Sequence, residues 1–113
     1  MEVSTANSRP KVSQAELDSK FFRGLADPTR VRILEALLEG EKSVTELREH
    51  LVIPQSSCSM PLSCLRWCGY VSYRKERRNT YYQVTDSRIR EIIRLARSVI
   101  ADNAQAILSC DTI

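Results

Sequence analysis

Glycine and proline are scarce in this chain, three and four residues in 113. An all-β fold turns every few residues, and so few turn formers leave little room for one. Long apolar runs are lacking too. No stretch approaches the roughly 18 residues that a membrane-spanning helix needs. The opening Met1-Glu2-Val3-Ser4-Thr5 has no basic-then-apolar signal pattern. There is one histidine, His50, and no second lies near it to build a nitrogen-rich metal site, so a surface or helix-end place is expected for it. No Gly-rich phosphate loop and no nucleophile elbow occur, and the chain is not expected to be an enzyme.

What is present points to one domain. A chain of 113 residues with 42% hydrophobic side chains is long enough for a real core but not for two. The expected compartment is cytoplasmic, so the four cysteines should be reduced thiols rather than a disulfide framework. Net charge is only +3, but Arg74, Lys75, Arg77 and Arg78 fall within five positions, which suggests a polyanionic partner.

Residues 1–12 have no periodicity and read as a flexible tail. Ser13-Gln14-Ala15-Glu16 is a capping box and opens a first helix with apolar Leu17, Phe21, Phe22 and Leu25. Asp27-Pro28 starts a second, Asp as N-cap and Pro in the first turn, where its missing N–H costs nothing. Its expected apolar stripe is Val31, Leu34, Leu37 and Leu38, and Gly40 stops it. Ser43-Val44-Thr45-Glu46 is another capping box, opening a short third helix to about Leu51. After Ile53-Pro54 comes a fourth, closed by Gly69. Two short helices a turn apart, the second rich in polar side chains, outline a helix-turn-helix.

Residues 70–74 and 80–84 are β-branched and aromatic, and the charged connection from Lys75 to Asn79 makes them a hairpin with a basic tip. Thr85 or Asp86 would cap a long last helix with Ile89, Ile92, Ile93, Ala96, Val99, Ile100 and Ala104 at helical spacing. Arg88, Arg90, Arg94 and Arg97 form its solvated face. The expected fold is mainly α with a β-hairpin wing: a winged helix-turn-helix over residues 13–108, with N- and C-terminal dimerisation helices and a tail, 109–113, carrying Cys110. The first and last helices find no place in the tri-helical core, so their stripes would pair in a homodimer. Two recognition helices would then lie about 34 Å apart, one turn of DNA.

The fourth helix carries the chemistry. Gln55, Ser56, Ser57 and Ser59 would face the major groove, where Gln can pair with adenine and Ser discriminates little. Arg74, Lys75, Arg77 and Arg78 would hold phosphates, a salt-sensitive contact. Cys64 and Cys68 are four residues apart, about 6 Å on one side of a helix. Two such thiolates can bind a soft ion such as cadmium, lead or mercury; the same spacing also suits two small core residues. Cys58 points about 120° away from Cys64 and is expected in the core.

Leu25-Ala26-Asp27-Pro28-Thr29-Arg30-Val31-Arg32-Ile33-Leu34, Leu62-Ser63-Cys64-Leu65-Arg66-Trp67-Cys68-Gly69-Tyr70-Val71 and Tyr81-Tyr82-Gln83-Val84 resemble the ArsR/SmtB family of metal-responsive repressors, over residues 15 to 108. Within it, the cysteine-bearing run is most similar to the CmtR-type cadmium and lead sensors. The resemblance implies a homodimer that binds operator DNA when metal-free and releases it when metal binds. It implies ligands Cys64, Cys68 and, from the partner subunit's C-terminal region, Cys110. Cadmium or lead is the favoured effector, with mercury(II) or arsenic(III) as competitors. The family's other sensing sites are missing: residues 45–50 contain no thiol, and the last helix contains no histidine.

Pro61 departs from the family, which usually has His there. A proline inside a helix loses a backbone bond and clashes with the preceding turn, at a cost of about 3 kcal/mol. The helix could start near Pro54 and kink at Pro61. It could also start late, with Ser59 as N-cap, leaving 55–58 as a loop and Cys58 as a candidate fourth ligand. Two rival functions stay open: a thiol redox or sulfide sensor on the same fold, and a protein-interaction module that has lost DNA binding.

Overall fold

The computed structural model describes residues 2–3 and 11–112, in the order β1 (Glu2–Val3), β2 (Val12–Ser13), α1 (Gln14–Gly24), α2 (Pro28–Leu38), β3 (Lys42–Ser43), α3 (Val44–Leu51), α4 (Ser56–Trp67), β4 (Val71–Glu76), β5 (Asn79–Val84) and α5 (Arg88–Ser109). Most of the expected N-terminal tail lies outside the described residues. Its Glu2–Val3 pairs antiparallel with Val12–Ser13, a ladder that the sequence reading did not anticipate.

The helix starts follow from their caps. Ser13 and Glu16 close one capping box and Ser43 and Glu46 another, while Asp27 accepts from the Arg30 backbone N–H at 3.0 Å with Pro28 in the first turn. The end of α1 is as fully satisfied. Leu25 N–H reaches the Phe22 carbonyl at 3.0 Å and Ala26 N–H the Arg23 carbonyl at 3.1 Å. The Arg30 guanidinium donates to the Gly24 and Arg23 carbonyls at 2.9 and 3.0 Å, and the Tyr70 hydroxyl donates to the Phe21 carbonyl. All four carbonyls that a helix end leaves without partners are thereby satisfied. Arg32 does the same for α3, donating to the Leu51 carbonyl at 2.9 Å.

The core is built from Ile33, Leu34, Ala36 and Leu37 of α2, Leu47 and Leu51 of α3, Cys58, Leu62 and Leu65 of α4, then Tyr70, Val71 and Ile89. The α2 stripe expected from spacing needs correction. Ile33 and Ala36 are buried, whereas Val31 and Leu38 are only half-buried, because α2 is covered on a broad face by α3, α4 and β5 together. The wing is a three-stranded antiparallel sheet in the order β3-β5-β4. Its connection is shorter than expected: Lys75 pairs with Thr80 and Glu76 with Asn79, so only Arg77 and Arg78 form the turn. Arg77 takes φ +59°, which a two-residue hairpin turn requires somewhere in its centre.

The last helix starts at Arg88 with Ser87, not Thr85 or Asp86, at the N-cap position, and the Asp86 carboxylate accepts from the Arg88 backbone N–H at 2.9 Å. Only Ile89 is buried, with Ile92 and Ile93 packed on the core beside it. Farther on, Ala96, Val99, Ile100 and Ala104 are exposed. Asn103 breaks the helical backbone at φ −129°, ψ 18°, and its side chain donates to the Val99 carbonyl at 2.9 Å. Among the described residues no helix is long and apolar enough to cross a membrane.

Candidate functional site

The question of where α4 begins has a definite answer: Ser56, with Pro61 inside the helix. The late start at Ser59 does not occur. Three reasons are visible in the side chains. Cys58, Leu62 and Leu65 are all buried in the core, at the i, i+4, i+7 spacing of one helical face. The Ser57 and Cys58 N–H groups are satisfied by the Pro54 and Gln55 carbonyls at 3.0 Å each. Pro61 has no N–H to give the Ser57 carbonyl, but Ser57 is exposed, so water can serve that oxygen. Burying three side chains outweighs one lost bond. Cys58 is consequently a core residue, its thiol 3.9 Å from the Pro54 carbonyl and pushed up in pKa by burial, which the Arg48 charge partly opposes.

The opposite side of α4 is open. Gln55, Ser56, Ser57 and Ser59 are all exposed, and Gln55 makes no capping bond with its side chain. Met60 stands among them at 74% exposure. An apolar residue in a run of serines, four residues from Ser56, is the sequence signal for it. At the wing, Lys75, Arg77 and Arg78 are exposed and form no ion pair with a described residue. Arg74 differs. Its guanidinium is held by Glu41 and Glu76 and lies over the Tyr81 ring.

Cys64 lies in the last turn of α4 and Cys68 is its C-cap, the first half-buried and the second exposed. The Cys68 N–H donates to the Cys64 carbonyl at 3.0 Å. Burial raises the Cys68 pKa, and the neighbouring Cys64 thiol raises it further by charge and hydrogen bonding, against the pull of Arg30 and Lys20. Tyr70, two residues on, is pushed up to about 12 by burial and by the two thiols. A cleft of about 440 Å³ between α1 and the end of α4 opens onto Cys68, walled by Leu17, Phe21 and Trp67 with Asp18 and Lys20 at its rim. His50 is remote from this chemistry, exposed at the end of α3 and 3.7 Å from Glu39. Cys110 caps the end of α5, its thiol 3.3 Å from the Thr112 hydroxyl. Among the described residues no three His, Cys, Asp or Glu side chains converge on a common point, so one chain brings Cys64 and Cys68 together but not Cys110.

This arrangement matches known proteins along almost its whole length. A probable mercury resistance operon repressor from Streptomyces lividans is 41% identical over 97% of this chain and 88% of its own. The chain belongs to the arsR family of bacterial regulatory proteins. That family's sequence pattern covers residues 27–73, from the α2 cap through the helix-turn-helix, Cys64 and Cys68 included, into β4. The HTH-type transcriptional regulator CmtR of Mycobacterium tuberculosis is 43% identical over 83% of this chain and 74% of its own. A crystal structure from the same organism superposes with a TM-score of 0.75 at 33% identity, covering 90% of this chain and all of that one. The fold is a winged helix-turn-helix, and an ArsR-family chain of this kind is a DNA-binding transcriptional repressor, not an enzyme.

Proposed function

We propose that this repressor is a cytoplasmic homodimer that holds operator DNA when metal-free and is released when a soft thiophilic ion binds Cys64 and Cys68. The observation that carries the reading is the division of α4. Exposed serines stand at its start and the thiol pair at its end, on one rigid element. At 1.5 Å per residue, Cys64 is only about 8 Å along the axis from Ser59. A pull on the thiol end therefore moves the reading end.

The donor set suits a soft ion. Two thiols on consecutive turns, one of them opening onto a cleft, form a thiolate chelate and offer nothing to magnesium or calcium. Bound ion would hold both thiols deprotonated. Cys110 of a second copy is the third ligand in this reading, which accords with its separation from the pair within one chain. The dimer is supported by the apolar side chains left in solvent: Leu17 and Phe22 on α1, then Leu95, Val99, Ile100, Ile107 and Leu108 on α5. Cadmium(II) and lead(II) are the expected effectors, as for CmtR-type sensors. The name of the Streptomyces lividans relative adds weight to mercury(II), and arsenic(III) also suits three thiolates. Gln55, Ser56, Ser57 and Ser59 read the major groove, and Lys75, Arg77 and Arg78 hold phosphates.

The test is a titration of reduced protein with each ion, following sulfur-to-metal charge-transfer absorbance and the anisotropy of labelled promoter DNA together. Cys64→Ser and Cys68→Ser should abolish the absorbance and the release. Wild-type metal binding by both variants would refute the site. Release driven by oxidant in the presence of a chelator would replace it with a redox switch.

A further inference from the structure

Four basic residues cluster on the wing, but the structure does not treat them alike. Lys75, Arg77 and Arg78 project into solvent from the tip. Arg74 is clamped. Its Nε and one Nη donate to the two carboxylate oxygens of Glu41 at 2.9 and 2.8 Å, and the other Nη donates to Glu76 at 2.9 Å. The guanidinium also stacks over Tyr81, its cross-strand neighbour, at 4.7 Å from the ring centre.

We propose that Arg74 is a positioning residue and not a phosphate contact: it latches the wing to the segment entering the helix-turn-helix and so sets where Lys75, Arg77 and Arg78 meet DNA. Glu41 is the key to this. It directly precedes β3, whose Ser43 pairs with Tyr81 of the wing and also caps α3 together with Glu46. Lys42 ties the same segment to α2 by donating to the Ala36 carbonyl at 2.9 Å. β4 is the sheet's outer strand and pairs only with β5 among the described residues; buried Val71 and the Arg66–Tyr73 contact hold its start to the helices, and the Arg74–Glu41 fork ties its outer part to the segment before β3. A bidentate fork fixes orientation as well as distance, which a point charge cannot do. The latch also carries one positive and two negative charges, so as a unit it repels phosphate. The inference needs only DNA binding and is independent of the thiolate site.

The two roles predict opposite signs for one substitution. If Arg74 served as a phosphate contact, Glu41→Gln would remove a repelling carboxylate and free the guanidinium, and DNA would bind more tightly. If Arg74 is a latch, Glu41→Gln loosens the wing, and DNA binds about two- to fivefold more weakly even though one repelling carboxylate is gone. The measurement is the anisotropy of a labelled random-sequence duplex across a salt series at fixed protein concentration, since wing contacts are not base-specific. Arg74→Lys should weaken binding as Glu41→Gln does, despite keeping its charge, with an unchanged salt slope. Arg77→Gln should flatten the log–log slope by about 0.9, the mark of one lost phosphate contact. The double variant Glu41→Gln with Arg74→Lys should be no weaker than either alone. Tighter binding by Glu41→Gln, wild-type affinity of Arg74→Lys, or a slope that falls by about 0.9 in Arg74→Gln would overturn the proposal.

Discussion

Gly24 is the last residue of α1, and a Cβ built on it would lie 2.6 Å from Cε2 of Tyr70. That ring has no easy escape. Tyr70 is fully buried, its hydroxyl is bonded to the Phe21 carbonyl, and its face meets the Phe21 ring at 5.0 Å between centres. Gly24→Ala must therefore displace either the ring or the end of α1. Overpacking of this kind costs about 1–3 kcal/mol. Against it stands the helix preference for Ala over Gly, up to about 1 kcal/mol and less at a helix end. The net expectation is a loss of about 1–2 kcal/mol, which for a chain near 100 residues lowers Tm by roughly 5–10 °C. The assay is thermal and urea unfolding of reduced, metal-free protein at one fixed concentration, because dimerisation would make Tm concentration-dependent. Unchanged or raised stability would refute the reasoning, since that is what the same substitution does where no ring stands in the way.

Two further outcomes follow from the charged contacts. The Arg88 side chain and backbone N–H hold the Asp86 pKa at about 2, below the ordinary 3.8. A depressed carboxylate contributes stability above its unfolded pKa and loses it as pH falls through the folded one. Wild type should therefore lose part of its advantage over Asp86→Asn between about pH 4 and 2, read from paired melts, and a constant gap across that window would count against the Asp86–Arg88 contact. Arg66, between the two thiols, stands over the Tyr73 ring of β4 at 5.0 Å. Arg66→Gln should leave ion binding by Cys64 and Cys68 intact but shrink the ion-dependent loss of DNA affinity, by an amount obtained from operator titrations with and without ion.

Much of the fold was legible because its punctuation is local. Ser13, Asp27 and Ser43 satisfy N–H groups three residues away, and such pairs can be read without knowing the rest of the chain. The wing's short turn was missed because Lys75, Glu76 and Asn79 are poor strand formers. They are held there by pairing with β5, a partner that local propensity does not include. Ile33 and Ala36 were missed for a related reason, since a helix covered by three neighbours buries more than one stripe. At the candidate site, spacing alone placed Cys64 beside Cys68. It could not show that Glu41, 33 residues away in sequence, holds Arg74, nor that Met60 is exposed in the reading face.

The Pro61 problem shows how these levels combine. Local propensity left a late helix start open, and a late start would have released Cys58 toward the other thiols. The tertiary term decides otherwise. Cys58, Leu62 and Leu65 share one buried face, and starting the helix at Ser59 would take Cys58 out of the core. Burying a side chain of that size is worth more than about 1 kcal/mol, and the hydrogen bond that Pro61 forgoes leaves the carbonyl of an exposed residue, Ser57, within reach of solvent. Once Cys58 is fixed inward, helical geometry leaves little freedom to the rest of α4. Ser56, Ser57, Ser59 and Met60 must face out at one end, and Cys64 and Cys68 must emerge at the other, on the side of α1 and Trp67. The residue that least favours a helix thus sits in the one element whose unbroken length ties the thiol pair to the reading face.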